Sequence, residues 1–230
     1  DRRWFYEGPT HEEALARLLF LVEQHRRCGV LSGAGGTGKS MLLSVLKKAV
    51  RHAQGEVCEL DASGRCADEL VWELAAQLRL SPRKDDRTLI LWRKIEETLL
   101  GNQIARVQTL ITFDHFEGAD RDCQRIVTRL LHLSSHTPSW TTIVTAVRDD
   151  AMKECCGMFR HLIDLTIPLT AFQRDETRDY VIRLLNRAGR REPLFSDSAL
   201  DRLHEYSGGV PREVNRLCDM SLLAAMSAGA

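Results

Sequence analysis

The chain has 230 residues, 28% of them charged, and its 32 lysines and arginines balance 32 aspartates and glutamates. That length buries a substantial core, as one domain with an appendage or as two compact subdomains. Zero formal charge removes any bulk electrostatic case for DNA or anionic lipid, and no apolar run is long enough to span a bilayer.

Taken in chain order, residues 11–25 carry Ala14, Leu15, Leu18, Leu19 and Val22 at helical spacing. Cys28 to Ser32 reads as a short buried strand. Gly33-Ala34-Gly35-Gly36-Thr37-Gly38-Lys39-Ser40 follows and fits G-x-x-x-x-G-K-[ST], the phosphate-binding P-loop. Leu42, Val45, Leu46, Ala49 and Val50 then recur as a helix, so strand, loop and helix come in the order the motif requires. Glu56–Leu60 reads as a second strand, 67–80 as a helix stopped by Ser81-Pro82, and 88–100 as another helix. Leu110–Phe113 is a third strand, ending at Asp114. A helix over 121–133, a strand over Thr141–Val147 and a fifth strand over His161–Leu169 complete the alternation. From 173 onward only helices remain, over 174–188, 197–206 and 211–227.

Strands alternating with helices predict an α/β P-loop fold, a parallel five-stranded sheet flanked by helices, with a C-terminal all-helical lid. The change of pattern near Phe172 divides the chain into a nucleotide-binding core, 1–171, and a lid, 172–230. The seven cysteines are scattered without a C-x-x-C pair, which suits a reducing cytosol better than a disulfide framework or a zinc site. The first residue is Asp1 rather than Met, and a membrane segment beyond Ala230 stays open.

The residue types in the loop carry the chemistry. Glycines let successive backbone N–H groups turn toward phosphate oxygens, and the next helix adds the positive end of its dipole. Lys39 is then a point charge between the β- and γ-phosphates of ATP, and the Ser40 hydroxyl a Mg²⁺ ligand. Asp114, at the end of an apolar strand, reaches Mg²⁺ or its water shell, or else caps the following helix. Related ATPases place a glutamate next to that aspartate to polarise the attacking water. Here the residue is His115. His115 orients the water itself, or Glu117 substitutes from the same side of the strand, or hydrolysis is slow. Gly208-Gly209-Val210-Pro211-Arg212 opens the last helix, with Pro211 in its first turn. Arg212 is a γ-phosphate ligand that ties the lid to nucleotide state, or a surface arginine at a helix start.

Set in order, these segments resemble the AAA+ ATPase domain of general secretion pathway protein A, the ExeA-type ATPases. The likeness rests on Phe5-Tyr6 with Thr10 to Leu15, Leu31 to Ser40, Ile111 to Asp114, and Pro168-Leu169 with Asp175-Glu176-Thr177 and Tyr180-Val181. It rests most specifically on Leu194-Phe195, Ala199-Leu200, Tyr206 to Arg212 and Asn215 to Asp219. The resemblance implies an AAA+ fold, ATP and Mg²⁺ bound by Gly33 to Ser40 with Met41, and Arg212 as sensor 2. It also implies self-association through a subunit-bridging arginine near Arg160. A role on the cytoplasmic side follows from it too, helping an envelope secretion machine to assemble, with any inner-membrane tether outside these residues. His115 departs from the family's glutamate, and Val147 stands where its glutamine is expected, leaving Thr145 as the sensor 1 candidate. These departures bear on turnover more than on binding. They keep in view a nucleotide-gated assembly module with little hydrolysis; a DNA-associated transposition helper ATPase, which has a similar core, is the third alternative, and the neutral charge weighs against it.

Overall fold

In the computed structural model, residues 4–83, 85–133, 138–190 and 192–228 are described; the outer ends of the two expected domains, 1 and 230, lie outside them. Five strands form one parallel sheet in the order β2-β3-β4-β1-β5. They are β1 (Cys28–Ser32), β2 (Glu56–Asp61), β3 (Thr109–Asp114), β4 (Thr141–Val147) and β5 (Leu165–Pro168).

Alternation along each strand explains the two-sided core. On one face Cys28, Val30, Ile111, Phe113, Ile143 and Val147 meet α3 (Ala67–Gln77), α4 (Thr88–Ala105) and α5 (Arg121–Leu133). On the other, Leu31, Leu110, Val144 and Ala146 meet α1 (Pro9–Glu23) and α2 (Lys39–His52). A single turn, α6 (Met152–Cys155), precedes a 3₁₀ segment at Gly157–Leu162.

Here the sequence reading of the fifth strand is corrected. The strand begins at Leu165 rather than His161, because Phe159 turns inward on the 3₁₀ segment and packs edge-on against Phe116, centroids 6.0 Å apart. Asp164 then sets the register by accepting from the N–H groups of Arg27 and Cys28, both at 2.9 Å. Among the described residues after Pro168 the regular elements are all helical: α7 (Arg174–Arg187), α8 (Asp197–Ser207) and α9 (Pro211–Ala228). None of the described helices is long and apolar enough to cross a membrane.

An N-terminal strap, residues 4–8, bridges sheet and lid. Its side chains alternate. Trp4 and Tyr6 join the lid's apolar cluster with Phe172 and Tyr180, while Phe5 packs on the core beside α1. Trp4 stacks on Tyr180 at 5.5 Å, and Tyr6 Oη donates to Asp179 at 2.8 Å. Below the strap, the buried Glu176 carboxylate accepts from Thr10 N (3.1 Å), Thr10 Oγ1 (3.0 Å) and Gln173 N (2.9 Å).

Candidate functional site

In a parallel sheet ligands collect beyond the carboxyl ends of the strands. At that edge β1 runs into Gly33, β3 ends at Asp114, β2 at Asp61 and β4 at Val147. Because β4 lies between β1 and β3, the residues just after it emerge between the glycine loop and Asp114.

The loop from Gly33 to Gly38 is held by its own side chains. Gly36 and Gly38 adopt φ of +93° and +107°, the left-handed region that glycine enters without strain. Thr37 is fully buried and its Oγ1 donates to Ala34 O at 2.9 Å. Lys39 begins α2 and folds back, its Nζ donating to Gly33 O (2.6 Å) and Ala34 O (2.9 Å). Burial lowers the Lys39 pKa below its ordinary value. The carboxylates of Glu117, Asp149 and Asp114 oppose that shift, in this order of weight, and the Arg212 guanidinium adds to it. Ser40 is exposed and Met41 partly buried in the first turn of α2.

Asp114 is partly buried at the tip of β3, its Oδ1 accepting from His115 N at 2.9 Å. His115 takes φ +52°, and its Nδ1 lies 3.1 Å from Asp61 Oδ1. The chain then enters a 3₁₀ turn, Phe116–Gly118, that buries Phe116 completely. This corrects the strand argument for Glu117: β3 has ended by Asp114, so period-two alternation does not relate residues 115 and 117. The turn instead makes Glu117 the leading carboxylate at Lys39, with its Oε2 buried and without a partner among the described residues.

Thr145 is also corrected. It is fully buried inside β4, on the face toward α3, α4 and α5, opposite Val30 and Phe113 in register, and so stands short of the strand's open end. Asp149, two residues beyond that end, is the group the β4 loop brings to Lys39. Arg160 is exposed on the 3₁₀ segment before β5.

The lid reaches the loop through the start of α9. Arg212 N donates to Gly36 O at 3.3 Å, and a Cβ on Gly36 would stand 2.8 Å from Arg212 Cβ. Only a glycine lets the two backbones approach this closely. Arg212 is exposed. Gly209 is fixed as tightly: φ is +71°, its carbonyl accepts from Phe172 N at 2.9 Å, and a Cβ there would lie 2.1 Å from Phe172 O.

Three site residues escape sequence reasoning by type alone. Asp61 and Asp149 come to the site through strand order. His11 comes from α1, with its Nε2 2.9 Å from Thr37 O. The carbonyl can only accept, so Nε2 carries the hydrogen and Nδ1 is bare; Nδ1 is buried with no partner among the described residues. The signal in the sequence was His11's place three residues after the strap, one turn into an amphipathic helix that had to lie near the loop.

Comparison with known proteins agrees with this geometry. The model of the AAA domain family matches residues 22–146. General secretion pathway protein A of Aeromonas hydrophila is 24% identical over 231 residues, covering 99% of this chain and 42% of that protein. The chain thus spans less than half the length of that curated relative. Among solved structures, Cdc6p from Pyrobaculum aerophilum superposes with a TM-score of 0.76 at 17% identity, over 100% of this chain and 65% of that one. Drosophila ORC bound to DNA gives 0.76 at 16% identity, over 100% of this chain and 58% of that one. At such identities the structural likeness speaks for the fold.

Proposed function

The chain belongs to the AAA domain family, and from that premise we propose that it is an ATP-binding module whose lid position follows the state of the nucleotide. The observation that carries this reading is Lys39 folded across its own loop, faced by Asp114 and Glu117 and roofed by the start of α9. Gly33, Ala34, Gly35, Gly36, Thr37 and Gly38 cradle the phosphates with their amides, and Ser40 and Met41 form the first turn beyond them. Lys39 exchanges two carbonyl acceptors for phosphate oxygens, a stronger, charge-assisted pairing. Ser40 and Asp114 hold Mg²⁺, whose charge offsets the three carboxylates around Lys39. Arg212 reaches the γ-phosphate from the lid. His115 orients the attacking water, Glu117 holds the metal's water shell, and Arg160 acts on the site of a neighbouring subunit.

The likeness to general secretion pathway protein A supports a switch that drives or gates assembly of a secretion or envelope complex from the cytoplasmic side. His115 at the glutamate's position favours a second reading, a gated assembly module with little hydrolysis. A DNA-associated helper is the third, and salt-sensitive binding to duplex DNA is its mark.

Calorimetry with ATP and Mg²⁺ tests the binding. Ligand at 100 times its dissociation constant stabilises the fold by about 2.7 kcal/mol, and Lys39→Ala loses most of that shift. Phosphate release that vanishes in Asp114→Asn supports the switch; ATP uptake with no release supports the gated module. No uptake by folded protein refutes both.

A further inference from the structure

His115 does not stand alone at the end of β3. The loop leaving β2 wraps it. Ala62 N donates to Asp114 O at 2.9 Å, Ser63 N donates to Asp61 Oδ1 at 3.0 Å, and the same oxygen lies 3.1 Å from His115 Nδ1. Asp61 and Asp114 are paired in register across the two parallel strands, so the two carboxylates start level and the histidine is presented between them. His115 also sits in the left-handed region, at φ +52°, a conformation that a residue with a Cβ adopts at a cost. Its backbone N–H is fixed on Asp114 Oδ1 and its ring on Asp61, which leaves Nε2 without a partner among the described residues.

A carboxylate oxygen can only accept, so the Nδ1 facing Asp61 carries the hydrogen, and in the neutral ring held this way Nε2 is the acceptor. That is the form of imidazole able to receive a hydrogen bond from water. We propose that Asp61 is the positioning residue of this site, holding His115 in the one tautomer and orientation in which Nε2 accepts from the water that attacks ATP. The inference rests on the nucleotide-binding reading above and assigns a role to a residue on a different strand. In the step, the water oxygen bonds to the γ-phosphorus as the bond from that phosphorus to the β,γ-bridging oxygen breaks. The bonding pair stays with ADP, and both water protons leave with inorganic phosphate. His115 contributes direction, which is a large share of catalysis where positioning dominates.

The test is a mutant cycle on the whole chain, with ATP affinity measured by calorimetry and turnover by phosphate release. Asp61→Ala is expected to lower kcat about 10–100-fold, the usual effect of losing an orienting partner, with ATP affinity within about twofold of wild type. In the His115→Ala background the same change costs nothing further, because the group it positions is gone. Asp61→Asn keeps an oxygen for both Nδ1–H and the Ser63 amide, so it folds and retains at least about a third of wild-type kcat. Equal losses in both backgrounds overturn the proposal, as does an Asp61→Asn variant as slow as Asp61→Ala. Wild-type protein that binds ATP without measurable turnover also overturns it and leaves the binding reading standing. Wild-type protein that takes up no ATP refutes the binding reading itself, and the positioning role with it.

Discussion

Adjacent glycines at the joint between α8 and α9 allow a controlled measurement of how tightly the lid is docked. Both have positive φ, +58° at Gly208 and +71° at Gly209, so alanine at either one carries the left-handed penalty of about 1–2 kcal/mol. Their surroundings differ. A Cβ on Gly208 meets nothing within 4 Å, whereas one on Gly209 would stand 2.1 Å from the backbone oxygen of Phe172. A backbone atom cannot swing aside. The joint must open, adding about 1–3 kcal/mol of overpacking. The Phe172 N–H to Gly209 O bond of 2.9 Å goes with it, a loss of about 0.5–1.5 kcal/mol. Gly208→Ala is therefore expected to cost about 1–2 kcal/mol and Gly209→Ala about 3–6 kcal/mol. In a chain of this length 1 kcal/mol moves Tm by about 2–4 °C, so the falls are about 2–8 °C and about 6–24 °C. Scanning calorimetry gives both, and hydrogen exchange should show Gly209→Ala loosening α7 to α9 ahead of the sheet. Equal Tm losses in the two variants would refute the claim that close approach, rather than conformation, fixes this joint.

Other expectations follow from contacts already described. Glu176→Ala removes the acceptor of three hydrogen bonds and should destabilise by about 2–4 kcal/mol, read as a fall in Tm; Glu176→Gln, which keeps one oxygen, should fall less. Burial lowers the pKa of His11, so the unfolded chain takes up a proton more readily than the folded one, and stability rises with pH through this range. Acidifying from about pH 7 to about pH 5 should therefore lower the Tm of wild type more than that of His11→Gln. Burial pushes the thiols of Cys58, Cys123 and Cys156 up to about 12 and that of Cys218 to about 11, while Cys66 is exposed. An aromatic disulfide reagent should thus modify Cys66 first in the folded protein and all seven cysteines only after unfolding.

What could be read before folding is what is local. The glycine loop, the apolar strand before it and the helix after it are encoded within about 25 consecutive residues, and period two or 3.6 exposes each element. The fifth strand reads too early because Ile163, Leu165, Ile167 and Leu169 are apolar at period two, and that alternation runs back past the start of β5. Only the packing of Phe159 on Phe116 ends one structure and lets the next begin. Asp61, Asp149 and Glu117 were illegible as a group. Asp61 and Asp149 are placed by strand order β2-β3-β4-β1, and Glu117 by a 3₁₀ turn that interrupts the alternation a strand would have imposed. His115 was conspicuous by its type, but its partner on a neighbouring strand was not.

The alternating strap has a practical corollary. Trp4 and Tyr6 are embedded in the helical cluster, and α9 runs out from the same cluster. A fluorophore attached beside Trp4 or along α9 is consequently seated on the roof. Two dyes so placed would report little, whereas one of them paired with a dye on β2 would register any displacement of the roof from the floor.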